Sequence, residues 1–393
     1  MAAPQIPNLN TLRGRTRLRG GLRGRGRGGF GPEDPQSEED QDAARDKIIQ
    51  QTDNDASSSR MSAVALGYLD DEYARAFIQG QIPRRYPIIN RGTYVRTTAI
   101  DRLVDNFLCQ EPSARKQIIS LGAGSDTRFF RRKDVKNVVY HEIDFPSNTE
   151  QKISAIERTP LLLNALQSTL PSPADLQVSA EKTALASTTY NIHPLDLRTL
   201  ASPELGGASS PPQLPNLDPT LPTLVLSECC LCYLPPEVTT SILQRVSNSV
   251  ISPTAPLALI VYEPIRPYDS FGKTMISNLA SRGIHLQTLK KYSSLDAQRL
   301  RLKHAGLVDG QGARDIESIY YGEGEEEWIT PEERRRIEGL EWLDEVEEWR
   351  LLARHYCVAW GWRDGDGDGV FSKAWGGVAG SRTAAENADD EML

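Results

Sequence analysis

The residues with the clearest chemical potential lie in segment 117–128, where an apolar run passes directly into a glycine turn, QIISLGAGSDTR. Gly122 and Gly124 carry no side chain, so a ligand can approach the backbone closely there. Asp144 follows 22 residues after Gly122, at the end of the next apolar run. A carboxylate in that position can accept hydrogen bonds from both hydroxyls of a ribose. The spacing therefore predicts a site for a nucleoside-containing ligand.

Two classes of nucleoside ligand are compatible with this turn. A dinucleotide site normally has the pattern G-x-G-x-x-G, whose third glycine lets the helix pack against the strand and face a pyrophosphate. Thr127 stands at that third position, so the dinucleotide pattern is incomplete. S-adenosylmethionine has a ribose and no phosphates, and it fits the same order of strand, turn and acid. A tight turn without any ligand is the remaining interpretation.

Two further acids and a cysteine pair stand beside apolar runs. Glu228 follows the run 223–226, and a carboxylate next to a buried strand is costly unless it is paired, which favours a binding role. Asp196 either contacts a ligand or caps a helix. Cys229 and Cys232 form a C-x-x-C, but a zinc ribbon needs a second pair and the sequence has none. No metal site is predicted, and the thiols are interpreted as small apolar side chains in a strand-like run, reduced as in intracellular proteins.

The apolar runs and the segments between them predict the fold that positions these residues. Four strands are expected, over 117–121, 138–143, 223–226 and 257–262. Strands that alternate with helices form a parallel sheet with helices on both faces, which is a Rossmann-like α/β fold. A helix over 63–79 is expected to act as an N-terminal lid. A charged helix over 331–354 and a strand over 355–362 are expected to follow.

Composition divides the chain into three parts. Residues 1–55 begin with an acid-free stretch of arginine and glycine that cannot form a core, and they are predicted to be a disordered arm. An RNA-binding or regulatory arm and a mitochondrial presequence both have this composition. Residues 56–363 are predicted to form the α/β domain, with a proline- and serine-rich surface insertion near 202–222. Residues 364–393 begin with alternating Asp and Gly and are predicted to be a disordered tail.

Several dispersed motifs resemble, in one order, those of the leucine carboxyl methyltransferases in their fungal form. They are DAS at 55–57, INRGTYVR at 89–96, LGAGSDT at 121–127, IDFP at 143–146, DLR at 196–198, SEC at 227–229, IEGLEWLDE at 337–345 and HYC at 355–357. The resemblance covers about residues 55–362. It implies a methyltransferase fold with S-adenosylmethionine as the cofactor. By position, it implies contacts of Gly122 with the amino-acid part of the cofactor, Asp144 with its ribose, Asp196 and Leu197 with its adenine, and Glu228 with its ammonium group. Gly124 counts with them among the cofactor-binding residues.

The same resemblance implies three residues at the reacting centre. Arg96 matches an arginine that reaches the carboxylates there, and it therefore counts among both the catalytic and the cofactor-binding residues. Arg60 stands where the family has a lysine, and because the two side chains differ in reach and geometry its role stays open. Tyr233 either donates a hydrogen bond to the substrate carboxylate or packs as an ordinary aromatic ring.

The function implied by the resemblance is methyl esterification of a C-terminal leucine carboxylate. The implied target is the catalytic subunit of protein phosphatase 2A, whose holoenzyme assembly the ester regulates, and the implied state is a monomer. The net charge of −8 gives no general attraction to nucleic acid or anionic lipid, and no membrane segment or signal peptide is visible, so a cytoplasmic location is predicted. One alternative is a related carboxyl methyltransferase acting on a modified tRNA base, although the repeats of its β-propeller are not visible. The other is an RNA-binding adaptor that uses the arginine-glycine arm.

Overall fold

The protein is described by a computed structural model that covers residues 38–82, 84–132, 137–210, 212–322 and 327–378. Predictions for residues 1–37 and 379–393 lie outside the described residues. Nine strands in the described part form one sheet in the order β3-β4-β5-β2-β1-β6-β7-β9-β8. The strands are β1 (Lys116–Leu121), β2 (Val138–Asp144), β3 (Gln177–Val178), β4 (Leu185–Ala186), β5 (Tyr190–Pro194), β6 (Thr223–Glu228), β7 (Leu257–Pro264), β8 (Gly310–Asp315) and β9 (Tyr356–Arg363).

Twelve α-helices in the same residues pack around this sheet. They are α1 (Glu38–Ala65), α2 (Pro87–Cys109), α3 (Arg128–Arg131), α4 (Pro146–Arg158), α5 (Pro160–Gln167), α6 (Pro236–Arg245), α7 (Ser270–Ala280), α8 (Leu295–His304), α9 (Ile316–Tyr321), α10 (Pro331–Glu338), α11 (Val346–Arg354) and α12 (Val370–Trp375). Several begin with proline, whose fixed φ and missing N–H suit the first helical position. The side chains of Asp269, Ser294 and Asp315 cap the starts of α7, α8 and α9.

The central strands send alternate side chains to two separate cores. Ile118 of β1 and Ile260 of β7 belong to the core that includes residues of α2, α9, α11 and α12. Their neighbours Ile119 and Leu259 belong to the second core, with residues of α6 and α8. Because side chains alternate along a strand, an unbroken apolar run supplies both cores at once. The predicted covering of both faces of the sheet by helices is confirmed.

The predicted strands correspond to β1, β2, β6, β7 and β9. The sheet is parallel from β5 to β7 and antiparallel at both edges, where β9 pairs with β7 and β8, and β4 pairs with β3 and β5. The prediction of a parallel sheet is therefore right for the centre, and the complete sheet is mixed. The charged helix predicted over 331–354 is two helices, α10 and α11. Between the 3-10 turn Pro203–Leu205 and β6, the described residues of the proline-rich insertion contain no helix or strand.

The predicted N-terminal boundary is wrong. Residues 38–55 are not a disordered arm, because they form the first part of α1. The predicted helix over 63–79 is also wrong, since α1 ends at Ala65 and Gly67 has a φ of +82°. Only a short 3-10 turn, Ala74–Phe77, lies further along. The helix was missed because its sequence is polar and lacks the apolar spacing that predicts a buried face.

The predicted C-terminal tail is ordered up to residue 378. The Asp364 carboxylate accepts a hydrogen bond from the Phe371 backbone N–H at 2.9 Å, so it organises the start of α12. Trp375 is fully buried and donates from Nε1 to the carbonyl of Leu103 at 3.0 Å. The Phe371 ring stacks on Phe107 of α2 with centroids 4.6 Å apart. The Asp-Gly segment is thus a tight connection to a core helix.

We expect Trp375→Ala to lower the free energy of unfolding by about 3–5 kcal/mol, because it leaves a large cavity in the core. The matched control is Trp342→Ala, whose ring is 87% exposed. That change should stay within about 0.5 kcal/mol. Urea unfolding of both variants measures the difference. Equal effects would show that residues beyond Arg363 do not belong to the folded unit.

Candidate active site

A cavity of about 420 Å³ lies at the carboxyl ends of β1, β2 and β6. Its volume is in the range of roughly 300–1,000 Å³ that small-molecule sites occupy. The structure brings together all of the site residues that the sequence predicted. The cavity is lined by Arg60, Arg96, Gly122, Gly124, Asp144, Asp196, Leu197, Glu228 and Tyr233.

The glycine turn after β1 is closely packed from two sides. Gly122 and Gly124 have φ values of +63° and +46°, which residues with a side chain rarely adopt. A Cβ on Gly122 would lie 2.6 Å from Sγ of Cys230, and one on Gly124 would lie 2.3 Å from Oδ1 of Asp53. Both positions therefore require glycine for sterics as well as for backbone conformation.

Asp144 ends β2 and supports the same turn. Its Oδ2 accepts a hydrogen bond from the Gly124 N–H at 2.8 Å, and its Oδ1 accepts from the Phe145 N–H at 2.7 Å and from Asn148 at 3.0 Å. Burial raises the pKa of Asp144 above its ordinary value, although these hydrogen bonds oppose the effect. A carboxylate has about four acceptor positions, so one position stays available to a ligand.

Glu228 ends β6 and joins two arginines from other elements. Its Oε2 accepts from Nε of Arg96 on α2 at 2.7 Å, and its Oε1 lies 2.9 Å from Nη1 of Arg128 on α3. Burial alone would raise the pKa of Glu228, but Arg128 and Arg96 outweigh burial and lower it. The Arg96 guanidinium lies 4.6 Å above the ring of Tyr262. Within the described residues, its two terminal nitrogens donate to no protein acceptor, so they remain available to a ligand.

A second row of charges holds Arg128 in place. Its Nε donates to Oδ1 of Asp101 at 2.7 Å, and its Nη1 donates to Oδ2 of Asp126 at 2.6 Å. Asp101 also accepts from Nη1 of Arg131 at 2.7 Å. Burial would raise the pKa of Asp101, but the arginines outweigh it and hold that pKa well below its ordinary value. Arg128, fully buried, is therefore charge-balanced.

The remaining predicted residues occupy the rim and the walls. Arg60 donates to Oδ2 of Asp71 at 3.3 Å, and burial lowers its pKa. Asp196 caps the 3-10 turn Leu197–Leu200, accepting from the Arg198 N–H at 2.9 Å, and it also lines the cavity, so the capping role is observed and the ligand contact stays a prediction. Tyr233 ends a 3-10 turn after β6, and burial raises its pKa.

Apart from Arg60, the sequence prediction missed the residues that α1 contributes to the site. Oδ1 of Asp53 accepts from the N–H of Ser125 at 2.8 Å and from its Oγ at 2.7 Å, directly on the glycine turn. Asp46 pairs with Arg198, and Asp55 pairs with Arg282 and Arg85. The acids are visible in the sequence, but without a predicted helix nothing assigns them to the site.

The C-x-x-C pair also differs from its prediction. The strand ends at Glu228, so Cys229 and Cys232 lie in the bend and 3-10 turn that follow it. Cys229 has a φ of +49°, and it lines the cavity together with Cys230. Within the described residues, no group of three or more His, Cys, Asp or Glu is arranged to hold a metal ion. In that same part of the chain, no helix combines the length and apolar character needed to span a membrane.

Comparisons with known proteins decide which family has this site. The family model for leucine carboxyl methyltransferase matches residues 36–247. The chain belongs to the leucine carboxyl methyltransferase family. Leucine carboxyl methyltransferase 1 of Aspergillus fumigatus is 50% identical, over 94% of this chain and 96% of that protein. The protein of that name from Emericella nidulans is 49% identical over 97% and 99%, and the Arabidopsis thaliana homolog is 35% identical over 86% and 96%. The predicted family and the prediction of a methyltransferase enzyme are confirmed.

We expect the charge row behind this methyltransferase site to make its stability pH-dependent. Asp101→Asn should lower the free energy of unfolding by about 3–5 kcal/mol at pH 7, because it removes a charged partner of Arg128 and Arg131. The depressed pKa of Asp101 means that its contribution is complete above the unfolded-state pKa, near 4, and is lost as the pH falls further. The difference in the free energy of unfolding between wild type and Asp101→Asn should therefore shrink by up to about 1.4 kcal/mol per pH unit below about pH 4.

Urea unfolding between pH 7 and pH 3 tests this expectation. The matched control is Asp105→Asn on the same helix, whose carboxylate pairs with Arg132 and is 56% exposed. The control should change stability by less than about 1 kcal/mol at pH 7. A difference for Asp101→Asn that stays constant down to pH 3 would contradict the assigned charge state.

Proposed function

We propose that this enzyme transfers a methyl group from S-adenosylmethionine to the C-terminal leucine carboxylate of the protein phosphatase 2A catalytic subunit, and so regulates assembly of that holoenzyme. Family membership supports carboxyl methylation of leucine. The cofactor and the protein substrate are the further steps of the proposal. The observation that carries it is the Arg96 guanidinium, which lines the cavity with two nitrogens still able to donate.

The residues present fit the cofactor. The glycine turn gives close backbone access, and Asp144 keeps an acceptor position for a ribose hydroxyl. Asp196 and Leu197 line the part of the cavity proposed for the adenine. Glu228 offers negative charge, which suits the ammonium group of the cofactor. Arg96 lies beside it and offers positive charge, which suits a carboxylate. When bound, S-adenosylmethionine supplies an electrophilic methyl group on a sulfonium.

The chain does not need to create the nucleophile. A C-terminal carboxylate has a pKa of roughly 3.3–3.7 and is already ionised at neutral pH, so no general base is required. The protein's task is to hold this carboxylate in line and to exclude water, which strengthens the attraction between opposite charges. Arg96 suits the first task, because Glu228 and the Tyr262 ring fix its position. Helix α1 covers the cavity and suits the second.

We expect Asp144→Asn to weaken cofactor binding by about tenfold to a hundredfold, since a hydrogen bond to a charged group is worth roughly 1.5–3 kcal/mol. Isothermal titration calorimetry with S-adenosylmethionine or S-adenosylhomocysteine measures the change. The control is Asp296→Asn, in which the replaced carboxylate is 77% exposed and distant in sequence from the site. Unchanged affinity in Asp144→Asn would remove the ribose contact from the proposal.

We expect Arg96→Ala to reduce kcat/KM for a leucine-ended substrate by about 100- to 1,000-fold, the range seen when a donor to a reacting oxygen is lost. Arg96→Lys should recover part of the rate, because it restores charge without the planar fork. Arg335→Ala, an exposed arginine on α10, is the control. A near-normal rate in Arg96→Ala would show that another residue orients the carboxylate.

The protein substrate is tested with radiolabelled cofactor and the purified phosphatase catalytic subunit. Intact subunit should be labelled, and subunit lacking its terminal leucine should not be. The label should be released by mild base, as expected of a methyl ester. Labelling that does not depend on the terminal leucine would contradict the proposed acceptor.

A further inference from the structure

The turn after β6 places three thiols at the centre of the site. Cys229 follows Glu228 directly, and Cys232 directly precedes Tyr233. Cys229 and Cys230 line the cavity, whereas Cys232 is buried beneath them. The φ of +49° at Cys229 is unusual for a residue that is neither Gly, Asn nor Asp. Such backbone strain often accompanies a functional position, and here the strained residue carries a thiol.

Cys229 and Cys232 are separated by two residues in one turn, Cys229 directly after β6 and Cys232 within the 3-10 turn Leu231–Tyr233. The neighbouring Cys232 lowers the pKa of Cys229, and Arg96 lowers it further against the effect of burial. Burial raises the pKa of Cys232 and of Cys230. Because the thiolate is the reactive form, the three cysteines are not equivalent, and Cys229 is the thiol that reacts first.

We propose that Cys229 and Cys232 form a reversible disulfide that switches methyl transfer off. A peroxide is the oxidant: the Cys229 thiolate attacks one oxygen of hydrogen peroxide, the O–O bond breaks, and a sulfenic acid and water form. Sγ of Cys232 then attacks the Cys229 sulfur, the S–O bond breaks, and a second water leaves. Two thiols are oxidised and one peroxide is reduced to two waters. A dithiol such as dithiothreitol reverses the reaction.

The position of the pair explains why the bond would stop catalysis. A disulfide fixes the two sulfurs about 2.05 Å apart and the two Cα atoms about 4.4–6.8 Å apart, so it constrains the turn between them. Glu228 and Tyr233 are the chain neighbours of the pair, so this constraint acts on them directly. Glu228 positions Arg96 at 2.7 Å, so a shift of the turn displaces the proposed carboxylate donor. The effect on activity rests on the proposed function, whereas disulfide formation does not.

The experiment uses full-length reduced protein treated with hydrogen peroxide. Trypsin releases residues 199–245 as one peptide that carries Cys229, Cys230 and Cys232. After alkylation, the oxidised peptide should have lost two hydrogens and carry one label, on Cys230. Methyl transfer to a leucine-ended peptide should fall at least tenfold and recover with dithiothreitol. Prior addition of S-adenosylhomocysteine, which fills the cavity, should slow the oxidation.

Two variants separate the pair from the other thiols, with each activity expressed relative to the same variant before oxidation. Cys232→Ser should stop at the sulfenic acid of Cys229, which dimedone traps, and should form no disulfide. Cys109→Ser removes an exposed thiol and should behave as wild type. The proposal is overturned by a link between Cys229 and Cys230, by the absence of the two-hydrogen loss, or by full activity of the disulfide form. Inactivity of the reduced protein would instead count against the proposed function.

Discussion

The site depends on one half-buried carboxylate, Glu228, at the end of the central strand β6. A carboxylate in this position is tolerated only if positive charge reaches it, and Arg96 and Arg128 supply that charge from two different helices. Arg128 then requires Asp101 and Asp126 in turn. The need to balance the charge of Glu228 thus fixes how α2 and α3 approach the sheet. It also positions Arg96, the donor that we propose for the substrate carboxylate.

The centre of the fold and the core of the site could be predicted from the sequence because both have local signals. A continuous apolar run indicates a buried parallel strand, and the glycine turn with Asp144 indicates a ligand at its carboxyl end. The strand β8 could not be predicted in this way, because its sequence GQGARD has no apolar run. Its glycines lie against the rings of Trp360 and Trp362 on β9, so the partner strand supplies the packing. That relation exists only in the folded sheet.

Helix α1 and the segment 364–378 were missed for a related reason. A polar helix gives no apolar periodicity, and the acids that attach it to the site pair with residues far along the chain, such as Arg198 and Arg282. The Asp-Gly segment resembles a flexible tail until Asp364 is seen to cap α12. In both cases the stabilising partner is distant in sequence, so composition alone predicted disorder.

The polarity of α1 follows from what it covers. An apolar helix over the cavity would take Asp46 from Arg198 and Asp55 from Arg282, at a cost in desolvation. Asp46 and Asp55 pair with Arg198 and Arg282, and this leaves Arg96 inside the cavity as a guanidinium with donors still available. The acids of α1 thus neutralise Arg198 and Arg282 at the rim of the cavity, and they do not neutralise Arg96 in its interior. A negatively charged chain end therefore gains its strongest attraction only after it has passed the rim, at the position where the methyl group is proposed to be transferred.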